Sequence, residues 1–261
     1  MLLAVSLEFI GLLVLSVLIA GAINGIAGFG FAIVGTMALA TVIDPATAVV
    51  FMIVPILSVN LSLVRDLSAS ELRTCGRRFG PLILAALVGT VVGMVVLEQV
   101  PAAPLRLGLG VLTLAFVASV QERFVIPGLD RLRQGCFVET PLAMMGIGGL
   151  SGLVFGGTNV GVQLIAYLRS RDLTHSLFVG VVAMVFLGLN AVRVVAASFL
   201  GLYPSSTLAM LSVGAVVPAV AGVAGGKRLR ERVSERQRRT VVLGLLTMIG
   251  VRLVLGGLGI A

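Results

Sequence analysis

Residues 5–43 read VSLEFIGLLVLSVLIAGAINGIAGFGFAIVGTMALATVI, with Glu8 as the single charge. A bilayer core about 30 Å thick is crossed by roughly 20 apolar residues in a helix, so this run is about twice the length one crossing needs. It is also interrupted near its middle by Asn24-Gly25-Ile26-Ala27-Gly28-Phe29-Gly30. Glycine weakens a helix by about 1 kcal/mol relative to alanine, and asparagine concentrates in turns. The stretch is therefore expected to break there and to fold back as a hairpin, entering and leaving on one face of a membrane.

A second stretch behaves the same way. Residues 140–168 are apolar but carry Gly148-Gly149, Gly152, Gly156-Gly157, Asn159 and Gly161. Between and after these two lie six segments of single-crossing length: 45–64, 79–97, 102–120, 174–198, 206–226 and 240–260. Over the whole chain 58% of residues are hydrophobic, 11% are charged and the mean hydropathy is +1.15. A soluble domain carries about 25% charged residues to cover its surface, so this composition points to an integral membrane protein. The N-terminus lacks a basic region ahead of its apolar run and reads as a retained segment, not a cleaved signal peptide.

The net charge of +8 does not point to nucleic acid. Sixteen of the 19 Lys and Arg residues sit in four short stretches, 65–78, 121–139, 169–175 and 227–239, none with aromatic platforms. Such clustering orients a membrane protein, basic side inward. If both broken stretches are hairpins, the inner loops hold 16 basic residues and the outer loops only Arg106; eight single crossings divide them 10 to 7. The hairpin arrangement obeys the rule far better. It puts both termini outside and suits a bacterial cytoplasmic (inner) membrane. Cys75 and Cys136 then face a reducing compartment and form no disulfide.

This topology divides the chain into two oppositely oriented halves, 1–120 and 140–261, joined by a cytoplasmic linker, 121–139, within one membrane domain, 1–261. Weak internal similarity accompanies it. Gly25 and Gly30 recur as Gly152 and Gly157, Asn60 as Asn190, and Gly89, Gly93 and Arg106 as Gly222, Gly226 and Arg239. The expected fold is an all-α polytopic membrane protein. It is an inverted repeat, each half a Gly-broken helical hairpin followed by three transmembrane helices.

All four asparagines, Asn24, Asn60, Asn159 and Asn190, fall in apolar segments, where an unpaired amide costs several kcal/mol. One reading is that they bond frayed backbone or tie helices together. The other is that they line a polar chamber to which the breaks turn half-helix N-termini, whose dipole and open N–H groups favour anions. On the second reading the substrate-binding candidates are Asn24, Gly25, Gly28, Gly30, Asn60, Gly156, Gly157, Thr158, Asn159, Gln163, Asn190, Arg193 and Arg252. An arginine inside a membrane segment is expensive and marks a functional site by default, although Arg193 lies near enough to a helix end to snorkel to the interface. No acidic residue lies deep in a segment to neutralise either arginine, which favours an anionic substrate and disfavours cation exchange. Pro55 and Pro218 predict kinks. The basic 227–239 stretch needs no role beyond orientation.

The glycine-rich NGIAGFGF (24–31), its echo GLSGLVFGGTNVG (149–161) and the late GVAGGKRLRERVSERQRRTVVLGLLTMIGVRLV (222–254) together resemble the TauE/SafE sulfite exporter family over nearly the whole chain. The chain departs from the family pattern at Phe29 and Phe31 and at Thr158-Asn159. The resemblance implies a permease of sulfite, sulfonates or related organosulfur anions, working by alternating access, with no cofactor and no catalysis. Its partners are a small anion, the lipid bilayer, a coupling ion (a proton or another, which no residue assigns) and, as a compatible assembly, a second copy in a homodimer. The alternatives are a permease of another organic anion such as a carboxylate, or a non-transporting membrane assembly subunit. A membrane enzyme or thiol relay would need paired thiols, a metal cluster or an acid/base pair at depth, and His175, Cys75 and Cys136 supply none of these.

Overall fold

The computed structural model describes residues 6–27, 30–64, 79–120, 140–161, 164, 175–230 and 232–260. Helices account for nearly all of them, and no strand occurs among the described residues. In chain order they are α1 (Leu7–Ala27), α2 (Phe31–Ala40), α3 (Pro45–Phe51), α4 (Ile53–Val64), α5 (Gly80–Gln99), α6 (Ala102–Val120), α7 (Pro141–Thr158), α8 (His175–Phe199), α9 (Ser206–Gly214), α10 (Val216–Arg230) and α11 (Glu235–Gly257). Six spans among the described residues are long and apolar enough to cross a bilayer. Their outward faces fit that environment: Leu84, Val88, Val92 and Val96 form an exposed apolar stripe at helical spacing on α5. The all-α polytopic membrane fold expected from the sequence is the fold observed.

The first long apolar run breaks where Asn24–Gly30 predicts. α1 stops at Ala27, Gly30 adopts φ 100°, and α2 restarts at Phe31 and packs against α1. Only glycine reaches that backbone region at little cost. With ten residues, α2 is about 15 Å long, half the hydrocarbon thickness. The second break falls at Asn159, the C-cap of α7, in the left-handed region (φ 61°). Of non-glycine residues, asparagine tolerates that conformation best. Helix starts are locally encoded as well: Asp44 and Thr140 cap α3 and α7 through side-chain oxygens, each followed by proline at the first helical position.

Both predicted kinks occur, each three residues ahead of its proline: Met52 separates α3 from α4, and Ala215 separates α9 from α10. Proline has no N–H and crowds the carbonyl four residues earlier. The Phe51 carbonyl, deprived of Pro55, accepts instead from Ser212 Oγ at 2.6 Å, both residues being buried. Ser212→Ala should therefore lower the unfolding free energy by about 1–3 kcal/mol, the cost of a buried carbonyl left unsatisfied. A denaturation curve in detergent checks this, and a change under a few tenths of a kcal/mol would refute the assigned role.

Two compact units emerge. The first comprises Met1–Val59, Pro101–Leu114 and Gly201–Ala261; the second comprises Asn60–Val100 and Ala115–Leu200. The sequence halves contribute to both. In the first unit, α1 and α10 run parallel with their backbones nearly touching. A Cβ added at Gly21 would lie 2.6 Å from the Ala219 carbonyl oxygen, and one at Gly25 would lie 2.7 Å from the Lys227 nitrogen. In the same unit α6 and α11 are antiparallel, Leu107 meeting Gly257, Gly110 meeting Val254, and Leu114 meeting Gly250. In the second unit α5 and α7 are parallel, with Leu82 against Gly148, Ala86 against Gly152 and Thr90 against Gly156. Small residues let membrane helices approach this closely, and dispersion and backbone contacts then hold them.

The basic 227–239 stretch is more helical than its charge implied. α10 continues through Lys227, Arg228 and Arg230, whose charges favour the negative end of its dipole, and α11 starts at Glu235 behind a Ser234–Gln237 capping box. The stretches 65–78 and 121–139, with Cys75 and Cys136, lie outside the described residues.

Candidate functional site

In the second unit α7 and α8 bring four of the predicted residues together. Asn190 and Arg193 stand one turn apart on α8, and Gly156 and Asn159 end α7. Arg193 is fully buried, the largest side chain so enclosed among the described residues. It does not snorkel. Its Nη1 donates to Asn159 Oδ1 and to Asn190 Oδ1 (3.3 Å), and its Nη2 donates to the Gly156 carbonyl (3.2 Å). Asn190 Nδ2 in turn donates to the Phe186 carbonyl at 2.8 Å, which orients its oxygen toward the guanidinium.

The local backbone explains why the break binds a cation. The end of a helix exposes carbonyls and carries about half a negative charge. Asn159, in its left-handed cap position, adds a side-chain oxygen to that end, and Arg193 reads both. Beside them the Phe155 ring centroid lies 5.0 Å from the guanidinium carbon, and Phe186 tilts against Phe155 at 5.0 Å and 53°. A cation over an aromatic face is stabilised further. The result is a positive charge held by amide, carbonyl and ring partners inside an apolar bundle.

The remaining predicted residues take other positions. Thr158 Oγ1 donates to the Val154 carbonyl (2.6 Å) and accepts from the Val160 N–H (3.1 Å), so it shapes the turn beside the cluster. Gly157 is half-buried next to Gly93, and Asn60 is half-buried on α4. In the first unit, buried Asn24 accepts from the Phe31 N–H at 3.3 Å, satisfying the first donor of α2 across the turn. Gly25 lies in the α1·α10 seam and Gly30 is the N-cap of α2. Arg252 is exposed on α11, five residues from that helix's end at Gly257. Gly28 and Gln163 lie outside the described residues. No group of three or more His, Cys, Asp or Glu able to hold a metal occurs among the described residues.

A family model described as sulfite exporter TauE/SafE matches residues 13–253. The chain belongs to the TauE/SafE family. Comparison with curated proteins and with solved structures returned no match. Membership in this family implies a membrane exporter of sulfite or a related anion, and the six apolar spans agree with it. The match covers both glycine breaks and the Arg193 cluster, so in this TauE/SafE protein the buried guanidinium belongs to the family-matched part of the chain.

Phe155 was missed by the sequence reading. Its signal was its place one turn before Asn159, where a helical residue shares the face of the break; an aromatic among apolar residues carries no other mark.

Proposed function

We propose that this protein is a secondary transporter of sulfite, a sulfonate or a related organosulfur anion, working by alternating access, with the Arg193 cluster as its anion site. The observation that carries the proposal is the fully buried Arg193, fixed by Asn159, Asn190 and Gly156 at a helix break. Arginine remains protonated under all physiological conditions, so its neutral oxygen partners hold a full positive charge in position. Holding a cation at depth is costly, and the cost is offset when an anion of matching geometry arrives; a guanidinium fork suits the paired oxygens of an oxyanion.

The inverted repeat belongs to the same proposal and has two supports. Each compact unit is built on one parallel, glycine-seamed pair, and each pair takes one helix from either half: α1 with α10, α5 with α7. If both broken stretches are hairpins, α6 and α11 cross the membrane in opposite senses; eight single crossings would make them parallel. Their antiparallel register favours the hairpins. By this reading the basic loops face the cytoplasm.

The test is uptake of radiolabelled sulfite or taurine into proteoliposomes, alongside thermal-shift measurements against sulfite, sulfate, thiosulfate, taurine, sulfoacetate and simple carboxylates. A ligand that binds only the folded state raises the melting temperature by mass action. Stabilisation by carboxylates alone would replace the organosulfur assignment with the organic-acid one. Arg252 enters as a second basic candidate. Because it is exposed near a helix end, within snorkelling reach of an interface, Arg252→Ala is expected to change uptake less than about threefold. A loss equal to that of Arg193 variants would move Arg252 into the site.

A further inference from the structure

Most helix hydroxyls whose bonds are described find a carbonyl, usually one turn back and in the case of Ser212 on another helix. Thr113, Thr158, Ser198, Thr240 and Thr247 each donate to the carbonyl four residues earlier, at 2.6–2.9 Å. That bond is the default way for a hydroxyl to satisfy itself within a helix. Thr90 on α5 departs from it. The residue is fully buried, and its Oγ1 has no hydrogen-bond partner among the described residues. A buried hydroxyl that gives up its water without a replacement bears the whole desolvation penalty.

Its position is informative. Gly156 and Thr90 face each other across the α5·α7 seam. A Cβ built on Gly156 would lie 2.9 Å from the Thr90 carbonyl carbon and 3.0 Å from its Cα. Gly156 is also the residue whose carbonyl accepts from Arg193. The turn of α5 that carries the unsatisfied hydroxyl is thus the turn packed on the helix end that holds the guanidinium.

We propose that Thr90 is a further substrate-binding residue, its hydroxyl donating to an oxygen of the anion drawn to Arg193. The inference rests on the reading of the Arg193 cluster as the anion site. A sulfite or sulfonate head carries three oxygens, and a guanidinium fork pairs with two. A third oxygen is the kind of acceptor a lone hydroxyl needs, and a charged acceptor makes that bond stronger than one between neutral groups.

The test compares Thr90→Val, which keeps the shape and removes the donor, with Thr90→Ser, which keeps the donor. Both are made in the full-length protein, with Arg193→Gln as reference and sulfite, thiosulfate and taurine as probes. Without anion, Thr90→Val should melt at or above the wild-type temperature, because it deletes an unsatisfied buried group. With anion, its half-saturating concentration should rise about tenfold, while Thr90→Ser stays within about threefold of wild type. A hydroxyl serving the fold alone would give the reverse pattern, a lower melting temperature with unchanged affinity, and would overturn the proposal. Wild-type affinity in Thr90→Val, with Arg193→Gln unable to bind, would also remove Thr90 while leaving the Arg193 site standing. If Arg193→Gln binds as wild type does, or no probe binds the wild-type protein, the site reading fails and this inference fails with it.

Discussion

Arg193→Gln is expected to lower sulfite uptake by about a hundredfold, equivalent to roughly 3 kcal/mol, the scale on which truncating a buried hydrogen-bonded charge weakens its complex. Glutamine retains some hydrogen bonding toward Asn159 and Asn190, so the fold should survive with a loss of about 1–3 kcal/mol from acceptors left unpaired, Gly156 among them. Arg193→Lys separates charge from shape. Lysine keeps the positive charge but not the planar fork that reaches the α7 end and Asn190 together, so intermediate transport is expected. A folded Arg193→Gln protein that moves sulfite at the wild-type rate would remove the cluster from the mechanism and leave it a structural clamp on the helix break.

The second large effect falls on the α5·α7 seam. Gly152→Ala places a methyl group 2.8 Å from the carbonyl carbon and Cα of Ala86. What it strikes is backbone, which cannot rotate aside as a side chain does, so the two helices must separate along their length. Overpacking ordinarily costs about 1–3 kcal/mol, and this site should reach the upper end. For a chain of this size that corresponds to a fall in melting temperature of roughly 6–12 °C. Gly146 on the same helix supplies the control: a Cβ there meets nothing within 4 Å. Gly146→Ala should be neutral or stabilising, since alanine is the better helix former by about 1 kcal/mol. Equal melting temperatures for the two variants would show that the seam is not what holds α5 against α7.

Much of this was legible in one dimension. Four of the six apolar spans were, at the segments beginning near 45, 79, 206 and 240, because the hydrocarbon core sets a minimum apolar length; the other two, Leu7–Ile26 and Pro141–Thr158, lie in the stretches expected to fold back as hairpins. The two breaks were in part: Gly30 and Asn159 take left-handed backbone as their residue types favour, whereas Gly148, Gly149, Gly152, Gly156 and Gly157, read as break points, lie within continuous α7. The kinks at Pro55 and Pro218 were, because the missing N–H is a covalent fact. The helical character of 227–239 was not read from its charge, although the Ser234–Gln237 capping box was written there. The partner of the Phe51 carbonyl was beyond reach, since Ser212 lies far along the chain and only packing brings it near.

Arg193 and Arg252 mark the boundary between the two kinds of knowledge. Each is a single arginine in an apolar run, and hydropathy treats them alike; yet one is wholly enclosed and the other exposed. In a soluble helix the alternation of polar and apolar residues reveals which face turns inward, but a membrane helix is apolar on most faces, and that periodic signal fades. The sequence by itself determined that the chain builds long apolar helices, that its first apolar run breaks before Phe31, and which residue types carry charge into the apolar core, because those follow from length, covalent geometry and solvation. Only the tertiary structure decided that Arg193 meets Asn159, Asn190 and Gly156 and that Thr90 lies against the same turn, because helix rotation and pairing are set by how backbones fit at glycine.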